Sequence, residues 1–325
     1  MKPQNYRVLD QVVVRAFLAV RKNFTASTPR LRLSWSNWSF GTEPLHVSLA
    51  RLRRYGVGYI ELHGNLYGPD LGYKARDVVA ALEANDIRVS GVCAMLGPDQ
   101  CVSSDRPHVR QRAIDYLRRQ ADFCKDVGGS YLLFGAGAVG LPATRDEREL
   151  GRAAETIRVV GEYFAEVGVR GTIEPIRQEE VTQIHTLADC VRLLDLIDHP
   201  GVKHISGDAY HMLSGEQHVG KAILEYGSRM NNLGLADTNR RGLGQGLLDV
   251  DIIEMALYAV GYNVGENYAT AEPLAAGASA YSSLHGEPEP AVMDDLVSIT
   301  ASTFHQREAE ILNVSDEELC RAYDL

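Results

Sequence analysis

The sequence predicts an α/β protein built as a single (β/α)8 TIM barrel with short N- and C-terminal extensions, and three observations lead there. Eight short apolar runs alternate with longer stretches whose apolar residues recur at helical spacing. Several of those stretches end at a glycine that feeds the next run, as at Tyr55-Gly56, Val127-Gly128, Val167-Gly168 and Val260-Gly261. The competing doubly wound sheet would carry a glycine-rich phosphate loop after its first strand, and none stands there. Gly242-Leu-Gly-Gln-Gly246 follows the seventh run and lacks the G-x-G-x-x-G spacing.

The elements follow in order. An N-terminal extension, residues 1–30, holds a helical stretch at Gln11–Val20. The first unit pairs a strand at Leu31–Trp35 with a helix at Leu45–Tyr55, and the second pairs Gly58–Leu62 with Ala75–Asn85. Arg88–Cys93 leads to Val109–Val127, and Ser130–Phe134 leads to Arg148–Val167. Arg170–Pro175 precedes Leu187–Ile197, and His204–Asp208 precedes Val219–Tyr226. Asn232–Ala236 with Asp249–Val260, and Tyr268–Glu272 with Ala291–Glu310, complete eight units. The barrel domain is thus expected over residues 31–300, with a helical tail over 301–325.

Composition excludes several roles for the 325 residues. Against 43 Asp+Glu there are only 33 Lys+Arg, a net charge of −10, which is wrong for a phosphate-binding surface. No run approaches the roughly 18 apolar residues of a membrane span, and the first residues lack a signal peptide's apolar segment. Cys93, Cys101, Cys124, Cys190 and Cys320 are scattered without CxxC spacing, so reduced thiols in a cytoplasmic protein are expected.

In such a barrel the reactive side chains project from the C-terminal ends of the strands. The fifth strand ends in Thr172-Ile-Glu174-Pro175, with Glu179 and Glu180 close behind; the sixth ends in Asp208-Ala-Tyr-His211. The seventh gives Leu235-Ala-Asp237-Thr-Asn-Arg240 and the eighth Ala271-Glu272-Pro273, while the second contributes Glu61 and His63 and the first Trp38. Converging carboxylates repel one another and are costly to bury without a cation or shared protons. Oxygen ligands beside a histidine suit Mn2+, Mg2+ or Co2+. Solvated acids on rim loops are the competing reading. His63 and Trp38 are substrate-binding candidates, against a core histidine and barrel-mouth packing.

Glu174 after the fifth strand, Asp208-x-x-His211 after the sixth and Glu272 after the eighth resemble the xylose-isomerase-like sugar isomerases and epimerases. That group includes ketose 3-epimerases and inosose dehydratases. The resemblance runs from Leu31 to Thr300. It implies Glu174, Asp208 and Glu272 as ligands of a divalent metal, Mn2+ foremost. It further implies Glu174 and Glu272 as proton carriers, and Glu180, His211 and Arg240 as contacts to sugar oxygens. Three stretches are similar to the large subunits of bacterial C-glycoside deglycosidases: Glu61-Leu-His-Gly-Asn-Leu-Tyr-Gly-Pro-Asp70, Arg110-Gln-Arg-Ala-Ile-Asp-Tyr116 and Gly129-Ser-Tyr-Leu-Leu133. Those enzymes cleave the carbon–carbon bond of 3-oxo-C-glucosides with a small second subunit.

The leading expectation is therefore such a lyase, with an acid such as His211 or a donor from the partner subunit protonating the departing carbon. The alternatives are a keto-sugar 3-epimerase or aldose–ketose isomerase, and a weakly active sugar-binding homologue. Partner contacts, to a small β subunit or a second copy, are expected at Gly135–Asp146 and Leu274–Pro290, which follow barrel strands. One position departs from the family. The histidine ligand expected at the end of the seventh strand is replaced by Gly234, so a histidine placed there is expected to add a ligand.

Overall fold

Eight parallel strands close on themselves, each bonded to the next in sequence and β1 to β8, in the computed structural model, which describes residues 4–64, 74–141, 143, 145–274 and 288–325. They are β1 (Leu33–Ser36), β2 (Tyr59–His63), β3 (Arg88–Cys93), β4 (Tyr131–Gly135), β5 (Arg170–Glu174), β6 (Val202–Asp208), β7 (Met230–Leu235) and β8 (Tyr268–Ala271). The predicted (β/α)8 barrel is the observed fold. Strand ends move by one or two residues; β6 and β7 start earlier than expected because Val202 and Met230 join the ladders of their neighbours.

The helices are α1 (Gln4–Arg21), α2 (Leu45–Arg54), α3 (Ala75–Asn85), α4 (Pro107–Asp126), α5 (Glu149–Val167), α6 (Leu187–Ile197), α7 (Ala209–Gly215), α8 (Val219–Tyr226), α9 (Val250–Ala259), α10 (Pro290–Asn313) and α11 (Asp316–Ala322). α5 ends at Gly168, whose φ of 79° is the left-handed conformation that a side chain would oppose. α7 is not evident in the sequence pattern. It starts because the Asp208 side chain accepts the His211 N–H, capping the turn that follows β6.

Strand periodicity of two separates core from site. Leu33, Trp35, Ile60, Leu62, Leu132, Phe134, Ile173, Ile205, Leu233, Leu235, Ala269 and Ala271 belong to the large apolar core. The alternate residues line the barrel, and many are polar. Ser34 meets Ser90 and Asn232 bridges Ser206 and Thr270, while Thr172 meets Asn231 at the irregularity where β7 pairs with β6. A smaller apolar cluster of Trp38, Cys93, Tyr131, Leu133, Tyr268 and Leu274 sits among these inward positions.

The two ends of the chain pack together on the barrel. α1 lies against α8 and α9, and the His218 ring bonds Asp10 at 3.0 Å. α10 runs unbroken through residue 300, where the tail was expected to begin. Phe304 is fully buried there, and the Glu308 carboxylate accepts the Leu31 N–H and the Tyr258 hydroxyl, both at 2.7 Å. The expected partner contact at Leu274–Pro290 lies, for residues 275–287, outside the described residues, as do residues 65–70 of the deglycosidase-like stretch. Among the described residues no helix is long and apolar enough to cross a membrane. Phe304→Ala is expected to lower stability by about 3–5 kcal/mol in urea unfolding, the usual cost of emptying an aromatic site in a core; a loss under about 1 kcal/mol would show that α10 is dispensable beyond residue 300.

Candidate active site

Glu174 closes β5 and Asp208 closes β6, while Gly234 stands one residue before the end of β7 and Glu272 one residue beyond β8. The register pairs Asp208 with Gly234 and Gly234 with Thr270, so these inward positions lie side by side around the C-terminal rim. Glu174 and Asp208 are 5% and 3% exposed, which removes the reading of both as solvated rim acids.

Ligand atoms of Glu174, Asp208 and His211 lie within 4.8 Å of one another. Glu174 Oε2 and His211 Nδ1 are buried there without a hydrogen-bond partner. Burial also pushes the His211 pKa down, so its ring is held neutral and able to donate a lone pair. Two carboxylates and a neutral imidazole with unfilled acceptor atoms fit a divalent cation such as Mn2+, Mg2+ or Co2+.

This trio differs from the expected one. His211, expected to contact sugar, stands among the donors, and the group gathered within 4.8 Å does not include Glu272. Burial raises the Glu272 carboxyl to about 8; the Asp208 charge adds to the rise and Arg240 opposes it. Burial first, then the charges of Asp208, Glu272, Glu61 and Glu180, hold Glu174 well above the ordinary carboxylate range.

Glu61 lies deeper, on β2. It accepts the Tyr131 hydroxyl at 2.6 Å, and burial raises its carboxyl to about 7 despite that bond. His63 is fully buried, its pKa pushed to about 3 by burial, and its ring meets Trp38 edge-on at 4.2 Å. Trp38 is held by the helical turn Asn37–Phe40, and Asn37 Oδ1 accepts the His63 N–H at 2.7 Å. Both residues thus sit at the wall. Glu180, 9% exposed, is joined to Arg177 by a 2.5 Å bond. The Arg240 guanidinium lies over the Tyr210 ring, 4.4 Å from its centroid.

Comparison with known proteins identifies the family of the barrel. A family model described as xylose isomerase-like TIM barrel matches residues 49–290, well over half of the chain. The chain belongs to that family. Among its relatives is the 3-dehydro-D-guloside 4-epimerase of Escherichia coli, 24% identical over 242 residues, 71% of this chain and 89% of the relative. The D-psicose 3-epimerase of Ruminiclostridium cellulolyticum is 29% identical over 171 residues, 51% of this chain and 57% of the relative. Among solved structures, D-allulose 3-epimerase from Methylomonas superimposes with a TM-score of 0.75 at 20% identity, covering 86% of this chain and 98% of its own. The 3-keto-D-glucoside 4-epimerase from E. coli gives 0.66 at 21%, covering 78% and 96%. At such identities the superpositions speak for the fold.

The expectation for Gly234 needs correcting. A Cβ added there would lie 2.5 Å from Asp208 Oδ2, so the Asp208 carboxylate already fills the space above the glycine. A histidine would displace a ligand before adding one.

The sequence reading missed Tyr131, Tyr210 and Arg177. Tyr131 starts a strand and reads as packing. Arg177 and Tyr210 sit beside recognised acids, where a cation and a phenol in Glu174-Pro-Ile-Arg177 and Asp208-Ala-Tyr210 were the available signal.

Two outcomes follow. Gly234→His should bind Mn2+ more weakly than wild type in calorimetric titration, and tighter binding would mean that the new ring reaches the cation without moving Asp208. The second concerns pH. Glu61 and Glu272, raised to about 7 and about 8 from an ordinary 4.5, hold protons in the folded chain that the unfolded chain has released. Their contribution is complete below about 4.5 and is lost as pH rises through 8. Glu174, a donor for the cation, is likewise held well above the ordinary carboxylate range by burial and its acidic neighbours, so cation binding, which favours its ionised form, should stabilise more at pH 8 than at pH 6. Thermal unfolding with and without Mn2+ reads this difference, and an equal shift at both values would contradict it.

Proposed function

We propose that this chain is a keto-sugar epimerase that removes and returns a proton at a carbon next to the sugar carbonyl. What supports it most is the pair Glu174 and Glu272. Glu174 ends β5 and Glu272 follows β8, the Glu272 charge acts on Glu174, and both carboxyls are raised by burial so that proton uptake near neutral pH is accessible. The expectation that led in the sequence was C-glycoside cleavage; relatives named as sugar epimerases support the alternative better.

A proton next to a carbonyl is too weakly acidic for a free carboxylate to remove quickly, so charge on the carbonyl oxygen must be stabilised. A divalent cation held by Glu174, Asp208 and His211 would supply that as a Lewis acid. Glu174 has two carboxylate oxygens, and either it or Glu272 can take the proton from one face of the sugar. The carbon flattens, and the other carboxyl returns a proton from the opposite side, inverting the centre. Arg240, whose charge eases Glu272 toward its ionised form, would help it act as the base. Glu180 would hold sugar hydroxyls, and Trp38 and His63 would close the wall against water.

Cleavage of a 3-oxo-C-glucoside would share the first proton transfer and then need an acid at the departing carbon. His211 was one candidate for that acid, beside a donor from the partner subunit, and burial pushes its pKa down, which disfavours its charged form. The test is direct. The chain, with Mn2+ in D2O, is incubated with D-fructose, with a 3-oxo-glucoside and with a 3-oxo-C-glucoside, and NMR follows deuterium uptake and products. Deuterium at the carbon beside the carbonyl with an inverted centre supports the epimerase, whereas a released aglycone favours the lyase. Glu174→Gln and Glu272→Gln should each lower turnover by about 100-fold or more. Retention of a tenth of wild-type kcat by either would contradict the two-acid reading.

A further inference from the structure

Three segments that follow β5, β6 and β7 meet at the Tyr210 ring, which Arg177 links to Glu180. Arg177 Nε donates to Glu180 Oε1 at 2.5 Å, and Arg177 Nη1 donates to the Tyr210 hydroxyl at 3.1 Å. Its guanidinium lies over the Tyr210 ring, 5.2 Å from the centroid, and the same ring carries Arg240 at 4.4 Å. A guanidinium can make all these contacts at once because it is a planar fork with a stacking face; an ammonium can make one or two.

The backbone around this contact is held against its own preference. In the segment after β5, the Ile176 N–H bonds the Ile184 carbonyl at 3.1 Å, and the Gly140 N–H bonds the Glu180 carbonyl at 2.9 Å. Ile184, β-branched, sits at φ 67°, and Arg240 at φ 58°, both in the left-handed region that non-glycine residues avoid. Such strain persists only where surrounding bonds over-determine the conformation. An ordinary surface ion pair would not be built this way. Glu180 is nearly buried, its charge acts on both Glu174 and Glu272, and Arg177 keeps partial exposure at the mouth.

We propose that Arg177 is a positioning residue that fixes the Glu180 carboxylate toward the barrel axis for substrate hydroxyls, using Tyr210 as its second anchor. This rests on the keto-sugar reading, because a polyhydroxy substrate is what gives Glu180 something to hold. A carboxylate freed from Arg177 would sample several rotamers, so substrate binding suffers before the proton transfers do.

Kinetics and crystallography on the full chain test this together. Arg177→Ala should raise KM for the substrate that exchanges deuterium by about 10- to 100-fold, with kcat within about 3-fold, the size expected when charge-assisted bonds are lost. Arg177→Lys should recover only part of the loss. In a Glu180→Gln background, Arg177→Ala should add little, since the group it positions is already altered. The crystal structure of Arg177→Ala should show Glu180 displaced or in several conformers. Additive losses in the double variant, a fall in kcat with KM unchanged, or a Glu180 carboxylate unmoved in the crystal would each overturn the proposal. Should Arg177→Ala fail to fold, Arg177→Gln carries the same measurements. If the wild-type chain exchanges deuterium with none of the sugars, the keto-sugar reading fails on its own, and the position of Glu180 in the variant crystal still decides whether Arg177 holds it.

Discussion

Glu61, Glu174 and Asp208 project from three strands and are buried, Glu272 follows the eighth strand, and their charges act on one another with little water to screen them. The surroundings answer that repulsion in different ways. Glu61 receives the Tyr131 hydroxyl, and Asp208 receives the His211 N–H. Glu272 has Arg240 as its positive neighbour. Glu174 keeps one oxygen buried and unpartnered, which is where the donors for a cation gather. The same field keeps Cys93 inert. Burial, reinforced by the charges of Glu61, Glu174 and Glu272, pushes its thiol well up, so no thiolate nucleophile forms beside the acids.

The period of the strands links this site to the fold. On β5, Ile173 packs outward under the helices while Thr172 and Glu174 face inward; on β6, Ile205 packs outward while Ser206 and Asp208 face inward. A shift of one residue in register would bury the acids in the apolar layer and turn the aliphatic residues into the site. The requirement to bury Ile173, Ile205 and Leu233 thus also aims the catalytic candidates.

That coupling explains what could be read in advance. Apolar runs, helical spacing and terminal glycines are local patterns, so the barrel and nearly all its strands were legible, as was the ring of acids at the strand ends. What was not legible depends on side-chain direction between neighbouring strands. Whether His211 turns toward sugar or toward Asp208 is decided by the cap that Asp208 places on α7, and spacing alone does not reveal it. Gly234 read as a missing ligand for the same reason. Its meaning lies in the Asp208 carboxylate packed against it from the adjacent strand. Tyr131 was hidden by its chemistry, since a tyrosine that opens a strand looks like packing until its hydroxyl is found on a buried acid.

The strained positions then bear on how the site selects what it acts on. Proton transfer next to a carbonyl needs only the acids near the axis, and those acids are compatible with many keto-sugars. For the proposed epimerase, discrimination would then fall to the rim, where the segments after β5, β6 and β7 meet. Ile184 and Arg240 hold backbone conformations that cost energy, in segments crossed by hydrogen bonds to Ile176, Asp237 and Leu274. A rim that was free to move would relax those conformations. Its rigidity makes Arg177, Tyr210 and Arg240 a preformed wall, so for the proposed substrate the ordering entropy at that wall would be spent during folding instead of during binding.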